Sequence, residues 1–323
     1  MTMRLDRVAD KESRIFSYLK IARPDHWFKN VFMLPGTALG LALADKVPAF
    51  LLPKLILGIL ATCLIASANY TINEWLDAEF DRHHPIKKNR PSVSGKISPL
   101  AVYFQWGLLA SAGLIIAAQF STQFFVAAGA LLVMGLVYNV RPLRTKERQY
   151  LDVLSEAINN PLRLVLGWAI VVPSALPPSS ALLVYWMGGA FLMAIKRYSE
   201  YQFIGDPQQA ALYRKSFKYY TSDSLLLSAF FYALTSAFFL GVFLVKYRIE
   251  FILCLPLFSF LFVWYMYIGL KSASIAQTPE KLYKEWQFLA FVGLLAVVVG
   301  MLFFIDMPWL HVLVEHHVLG FAG

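Results

Sequence analysis

Residues 72–81 read INEWLDAEFD, and this polar stretch directly follows an apolar run that begins near residue 51. Asn73, Asp77 and Asp81 recur at steps of four, so on a helix they share one face and rise about 6 Å from one to the next. Two carboxylates and an amide on one stripe favour a cation among them, because the like charges otherwise repel. Mg²⁺ fits this set, since it normally takes one or two carboxylates and completes its shell with water and phosphate oxygens. The stretch predicts a membrane helix that ends in a magnesium site.

The composition around this stretch is that of a membrane protein. The 323 residues are 58% hydrophobic and only 15% charged, and the mean hydropathy is +0.56. In soluble domains about a quarter of the residues are charged. The same numbers exclude a disordered chain and a disulfide scaffold. Cys63 and Cys254 lie in apolar runs and predict core packing without redox chemistry.

Long continuous apolar runs predict an all-α membrane protein, a bundle of nine transmembrane helices. Each run approaches the roughly 20 residues that cross a bilayer, whereas an outer-membrane barrel shows alternating strands of about ten residues. The predicted spans are residues 30–44, 51–73, 100–118, 122–138, 152–172, 179–199, 225–245, 249–270 and 287–305.

The distribution of positive charge predicts the orientation of the bundle. With nine spans, 24 of the 29 Lys and Arg residues fall on one side, which the positive-inside rule makes cytoplasmic. The N-terminus is therefore predicted inside and the C-terminus outside. Residues 1–29 are predicted to form a leader that has no cleavable signal pattern and contains an interfacial helix near residues 13–22. Residues 30–305 are predicted to form the catalytic domain, and residues 306–323 an external tail. Topology and anionic lipid account for the net charge of +9, so no nucleic-acid partner is predicted.

A basic loop follows the polar stretch at once, and residues 82–96 read RHHPIKKNRPSVSGK. Oxygen ligands followed by cations suit a polyanion held by magnesium on one side and by Arg and Lys on the other. Two simpler explanations stay open, namely positive-inside topology and a solvated helix end in which Asp81 pairs with Arg82 or Lys87. His83 and His84 have no spaced partner that would support a zinc site.

The fifth predicted span opens with a second polar stripe. Asp152, Glu156, Asn159 or Asn160, and Arg163 follow at helical steps of three or four. Such a stripe is expected to line a water-filled cavity or to pack against the second span. An internal pair of Arg163 with Glu156, structural in role, is the alternative.

Three further segments bring charge to the same membrane face. They are residues 23–30 (RPDHWFKN), residues 138–146 (YNVRPLRTK) and residues 196–200 (KRYSE). Lys196 and Glu200 are four residues apart, but an exposed pair of this kind contributes only a few tenths of a kcal/mol. Their placement therefore favours a shared polar mouth over simple salt bridging.

These motifs together resemble the UbiA superfamily of intramembrane prenyltransferases. Asn73, Asp77 and Asp81 at the end of the second span match that family's first aspartate-rich motif, except that Glu74 stands where an Asp is usual. Within the superfamily the chain is most similar to the decaprenyl-phosphate phosphoribosyltransferase branch, through residues 23–30, 81–91 and 196–200. The stretch 141–152 does not match that branch.

The resemblance implies a transferase that uses Mg²⁺. Asp77 and Asp81 would be catalytic, and with Asn73 they would hold the metal and a diphosphate. Glu74 would lie in the outer shell of the metal. Asp152, Glu156 or Glu200 would hold ribose hydroxyls or a second magnesium ion, and Asn159 and Asn160 would complete the second polar stripe. The candidates for binding substrate and phosphate are Lys29, Lys87, Arg90, Tyr138, Arg141, Lys196, Arg197 and Glu200.

The implied reaction moves a 5-phosphoribosyl group from phosphoribosyl diphosphate to a polyprenyl phosphate in the bilayer. The runner-up is a prenyltransferase that moves a prenyl group from prenyl diphosphate to an aromatic or other acceptor, with the same metal motif. A transporter is disfavoured, because its polar groups would mark a broken helix at the midplane, and here they crowd one end. The oligomeric state, including a homo-oligomer, is left open.

Overall fold

The structure, a computed structural model, describes residues 15–310 apart from positions 45, 85, 95–96, 248, 272–273, 278–281 and 283. Within these ranges all regular secondary structure is helical, which confirms the predicted all-α class. The start of the predicted leader and most of the predicted external tail lie outside the described residues.

The helices follow one another with short connections, and a 3₁₀ segment, Pro24–Met33, leads into the bundle. In chain order they are α1 (15–22), α2 (Leu34–Leu43), α3 (Leu51–Asp81), α4 (Pro99–Ala117), α5 (Thr122–Asn139), α6 (Leu151–Ala157), α7 (Asn159–Val171), α8 (Ser179–Ile204), α9 (Pro207–Tyr213), α10 (Ser222–Tyr247), α11 (Leu255–Leu270) and α12 (Trp286–Phe304).

In the described part of the chain, six helical segments are long and apolar enough to cross a membrane. They are α3, α4, α5, α8, α10 and the segment Ile249–Leu270, which includes α11; α12 holds a shorter apolar stretch, Trp286–Leu302. The first predicted span is reduced to the ten-residue α2, and the fifth is divided into α6 and α7. The chain is an integral membrane protein, while the count of nine and the orientation of the termini stay predictions.

The division of the fifth span follows from its sequence. The helix is interrupted at Ile158, and Pro161 comes three residues later. Proline has no amide hydrogen to donate to the carbonyl one turn back, so the helix loses a hydrogen bond at this point. The interruption falls in the middle of the second polar stripe and separates Asp152 and Glu156 from Asn159 and Asn160.

A close crossing of α2 and α7 fixes the N-terminal segment over the bundle. A Cβ added at Gly36 would lie 2.1 Å from the Leu164 carbonyl oxygen, and one at Gly167 would lie 1.9 Å from that of Met33. Only glycine allows the two backbones to approach this closely. The contact places the 3₁₀ segment, with Lys29 and Asn30, beside the polar end of α7.

Two apolar clusters hold the helices together. One joins α3, α4, α5 and α7 around Phe124 and Leu131, and the other joins α6, α8, α10 and α11 around Phe191 and Tyr265. Many large apolar side chains point outward instead, as is expected of a surface that faces lipid. Ile15, Phe16 and Leu19 of α1 are also exposed, which supports the predicted interfacial helix.

Candidate active site

Polar side chains from six segments meet at one end of the bundle. The segments are the end of α3, the loop that follows α3, the loop 140–150 that follows α5, α6, the end of α8, and the segment around α9. Trp27 and Asn30 attach the N-terminal segment to the same region, since Trp27 Nε1 donates to Ser67 Oγ at 2.8 Å and Asn30 Nδ2 lies 3.1 Å from Cys63 Sγ. The predicted shared polar mouth is therefore present.

The α3 stripe faces cations from two loops. Lys146 Nζ donates to Asp77 Oδ1 and, at 3.2 Å, to Asn73 Oδ1, while Arg144 Nη2 lies 3.2 Å from Asp77 Oδ1. One turn further on, Arg90 Nη1 donates to Asp81 Oδ2 at 2.6 Å. The alternative in which Asp81 pairs with Arg82 or Lys87 is wrong, because Asp81 binds Arg90.

The Lys146 ammonium lies among three side-chain oxygens, since Asn139 Oδ1 also accepts from it, at 2.7 Å. The side chain is 6% exposed. Burial lowers the pKa of Lys146 from its ordinary 10.5 to about 8, although the charge of Asp77 acts in the opposite direction. A cation is thus already held by two of the oxygens that the sequence assigns to magnesium.

The donor set fits a hard cation by its chemistry. Glu74 is 3% exposed, and among the described residues its Oε1 has no hydrogen-bond partner. The same residues contain no group of three or more His, Cys, Asp or Glu side chains placed to hold a metal. The cavity over Asp77 and Asp81 measures about 30 Å³, room for about two water molecules. Metal and diphosphate would therefore have to displace the Arg144 and Lys146 side chains.

The α6 part of the second stripe packs against α8, while α7, which carries the rest of the stripe, packs against both α8 and α3, in agreement with the expected packing against the second span. Arg197 of α8 is fully buried, and its guanidinium lies 2.7 Å from Glu156 Oε2 and 3.4 Å from both Asp152 Oδ2 and Glu200 Oε2. Tyr138 donates to Glu156 at 2.8 Å, and Tyr220 to Asp152 at 2.7 Å. Asp152, Glu156, Arg197 and Glu200 thus form one ion cluster, which Lys87 joins through Glu200.

Arg163 does not pair with Glu156, so the alternative that joined them is wrong. Arg163 Nε donates to Asn30 Oδ1 at 2.9 Å, and Nη1 donates to the Asn159 carbonyl oxygen at 3.3 Å. Glu156 is held by Arg197 instead, because the interruption at Ile158 lies between Glu156 and Arg163. The Asn159 side chain donates to the Glu156 carbonyl oxygen at 3.0 Å, and the Asn160 amide lies against Gly189 of α8.

The predicted phosphate-binding cations divide into two groups. Lys87 lies 2.5 Å from Glu200 Oε1, Arg90 binds Asp81, and the exposed Arg141 is 4.0 Å from Glu147 Oε1. Lys29 and Lys196, both half-buried, have no carboxylate within ion-pair distance among the residues that the structure describes. Of the predicted phosphate-binding cations, these two are available to a ligand.

His26 reports the positive field around these two lysines. Burial, and then the charges of Lys29, Arg23 and Lys196 among others, hold the pKa of His26 well below its ordinary value. Its imidazole is therefore neutral at physiological pH.

The sequence missed three contributors to the site. Arg144 and Lys146 were part of a basic turn in which no feature singled them out, and Tyr213 had no signal at all. The Tyr213 hydroxyl donates to Glu200 Oε1 at 2.9 Å and also contacts Lys87 Nζ. Only the folded chain shows that α9 closes over this end of the bundle.

Comparison with known proteins agrees with this architecture. Residues 33–292 match the UbiA prenyltransferase family, and the chain belongs to that family. It is 31% identical over 210 residues to a decaprenyl-phosphate phosphoribosyltransferase of Mycolicibacterium smegmatis, an alignment that covers 64% of this chain and 63% of the relative. The protein of the same description from Mycobacterium tuberculosis is 30% identical over 211 residues, with 64% and 67% covered.

A solved structure shares the fold. The structure of a UbiA homolog from Archaeoglobus fulgidus bound to DMAPP and Mg2+ superposes with a TM-score of 0.66 at 23% identity, covering 87% of this chain and 99% of that one. At this identity the likeness supports the fold alone. The family match and this likeness together confirm the resemblance that the sequence motifs indicated.

Proposed function

We propose that the chain transfers a 5-phosphoribosyl group from phosphoribosyl diphosphate to a polyprenyl phosphate in the membrane. The bond from the anomeric carbon to the diphosphate oxygen breaks, a phosphate oxygen of the lipid forms the new bond to that carbon, and diphosphate leaves. Two groups with negative charge, the diphosphate and the lipid phosphate, then lie close together. A site for this reaction needs separate means of neutralising each.

The observation that carries the proposal is the pair of cations without carboxylate partners beside the α3 stripe. Lys29 and Lys196 come from different segments and stand apart from the cations bound to Asp77 and Asp81. Because unpaired charges within a membrane protein are costly, their usual explanation is a ligand or a pathway. A second anion at Lys29 and Lys196, beside the diphosphate at α3, meets the need for two phosphate sites.

Magnesium held by Asn73, Asp77 and Asp81 would supply charge neutralisation for the leaving diphosphate. Cationic side chains would supply the remaining charge neutralisation. Arg90 and Arg144, already at Asp81 and Asp77, are placed to bind diphosphate oxygens once they leave the carboxylates, and fixed cations of this kind stabilise charge that grows in the transition state. The names of the relatives support phosphoribosyl transfer over prenyl transfer.

A donor competition tests the proposal. Purified protein in nanodiscs is given Mg²⁺, polyprenyl phosphate and labelled phosphoribosyl diphosphate, and a parallel sample receives labelled prenyl diphosphate with an aromatic acceptor. Label from phosphoribosyl diphosphate is expected in the lipid phase, and EDTA is expected to abolish its transfer. Transfer from prenyl diphosphate alone would establish the runner-up and refute the proposal.

A further inference from the structure

A second, larger cavity lies beside the α3 stripe, between the loop that follows α5 and the segment that follows α9. Its volume is about 640 Å³, against about 30 Å³ for the cavity over Asp77 and Asp81. Among its described lining residues five are cationic and one is acidic, namely Arg141, Arg144, Arg148, Lys215, Lys218 and Glu147. We call this cavity the basic groove.

The basic groove is continuous with the candidate active site. Arg144, Glu147 and Lys215 line both cavities, so these three side chains form the neck between them. An anion in the basic groove is therefore one layer of side chains away from Asp77 and Asp81. At this neck Arg144 contacts both Asp77 and Glu147.

The charge of the basic groove is largely uncompensated. Glu147 is already paired with the two cations of the neck, since Arg144 Nε lies 2.7 Å from its Oε1 and Lys215 Nζ lies 3.1 Å from its Oε2. Arg148 and Lys218 are exposed and, among the described residues, have no carboxylate within ion-pair distance. A concave wall of one charge raises the local concentration of oppositely charged solutes.

Membrane topology explains part of this charge and leaves part unexplained. The positive-inside rule accounts for how many Lys and Arg residues the loops carry. The rule does not require two loops, 70 residues apart at Gln149 and Tyr219, to converge on one concavity. It also does not require this concavity to lead to the α3 carboxylates.

We propose that the basic groove binds the phosphate groups of a water-soluble phosphorylated donor before that donor enters the active site. The inference rests on the proposed function, because a prenyl diphosphate has a lipid chain and reaches α3 from the bilayer, whereas phosphoribosyl diphosphate arrives from water. The same phosphate chemistry is found on anionic lipid headgroups, so the test separates these two sources.

The test compares Arg148→Gln/Lys218→Gln with a matched pair, Lys20→Gln/Lys284→Gln, which removes two exposed cations outside the basic groove. Each protein is placed in phosphatidylcholine nanodiscs with Mg²⁺. Steady-state kinetics give kcat and the KM for phosphoribosyl diphosphate, and calorimetry gives the affinity for inorganic pyrophosphate without any turnover.

In the groove variant we expect the KM for phosphoribosyl diphosphate to rise and pyrophosphate affinity to fall, each by about tenfold at low salt. The kcat and the KM for polyprenyl phosphate should not change, and the matched pair should behave like the wild type. Wild-type values in the groove variant would overturn the inference while leaving the proposed function intact.

Two further results separate the remaining cases. If the wild type does not turn over phosphoribosyl diphosphate, the proposed function fails, and the pyrophosphate titration alone then supports or overturns the basic groove. If phosphatidylglycerol nanodiscs abolish the difference in pyrophosphate affinity between wild type and groove variant, the groove holds lipid headgroups, and the soluble-donor inference is overturned.

Discussion

The two polar stripes have nearly the same helical spacing, yet the structure uses them differently. On α3 the partners of Asp77 come from a loop, and its side chain is still 19% exposed. On α6 the partner of Asp152 and Glu156 is Arg197, which is fully buried on a packed helix. Asp152 is buried with it, and Glu156 is 27% exposed, so the contrast lies in where the partner comes from, a loop or a packed helix. The comparison indicates that the α3 stripe can exchange its cations for a metal and a ligand, whereas the α6 stripe holds helices together.

The largest expected effect is loss of activity on the α3 side. Asp77→Asn removes the carboxylate charge at nearly constant size and should lower turnover at least about 10³-fold, because fixed charge at the leaving group dominates such chemistry. The thermal unfolding curve should show a folded protein. Glu79→Gln is the control, since Glu79 is exposed on the same helix. An active Asp77→Asn protein would remove the metal assignment.

Arg197 should give the largest change in stability on the α6 side. Arg197→Met leaves two buried carboxylates, Asp152 and Glu200, and the partly exposed Glu156 without their guanidinium, and breaking a buried ion pair typically costs about 3–5 kcal/mol. Thermal unfolding in nanodiscs measures the loss. Arg141→Met, at an exposed position, should change stability by no more than about 0.5 kcal/mol. A stable but inactive Arg197→Met protein would move the α6 stripe into the catalytic machinery.

The sequence predicted the α3 stripe better than the α6 stripe, for a physical reason. A repeat of four residues fixes which side chains share a helix face, so the grouping of Asn73, Asp77 and Asp81 was accessible. It does not fix which helix they meet. The closure of Asp152 and Glu156 on Arg197, and the insertion of Lys146 from a loop, depend on tertiary packing that no local pattern encodes.

Lys196 tests whether a cation without a carboxylate partner serves a ligand. Lys196→Gln should raise the KM for polyprenyl phosphate about tenfold, since one phosphate contact of about 1.4 kcal/mol is lost. Its thermal stability should not fall, because no ion pair is broken. The split between KM and stability distinguishes this residue from Arg197. A variant that loses stability and keeps its KM would show Lys196 to be structural.

Arg163 offers a test confined to stability, centred on its hydrogen bond to Asn30. Arg163→Ala should destabilise the protein by about 1–3 kcal/mol, because Asn30 loses a charged donor. A double-mutant cycle with Asn30→Ala measures the coupling, and the cycle with Glu156→Gln should show none. Coupling to Glu156 in place of Asn30 would restore the pairing that the structure rejects.

His84 should give the smallest effect, a pH dependence of stability on the α3 side. Its Nδ1 accepts from the backbone amides of Ile86 and Lys87, at 3.1 and 3.2 Å, and burial followed by the charge of Lys87 lowers its pKa from 6.5 to about 4. The unfolded chain therefore takes up a proton between these values while the folded chain does not. Stability should be fully present above pH 6.5 and fall as the pH drops toward 4. In His84→Gln this component should vanish from unfolding curves measured across the interval, and an unchanged slope would assign the acid sensitivity to the carboxylates instead.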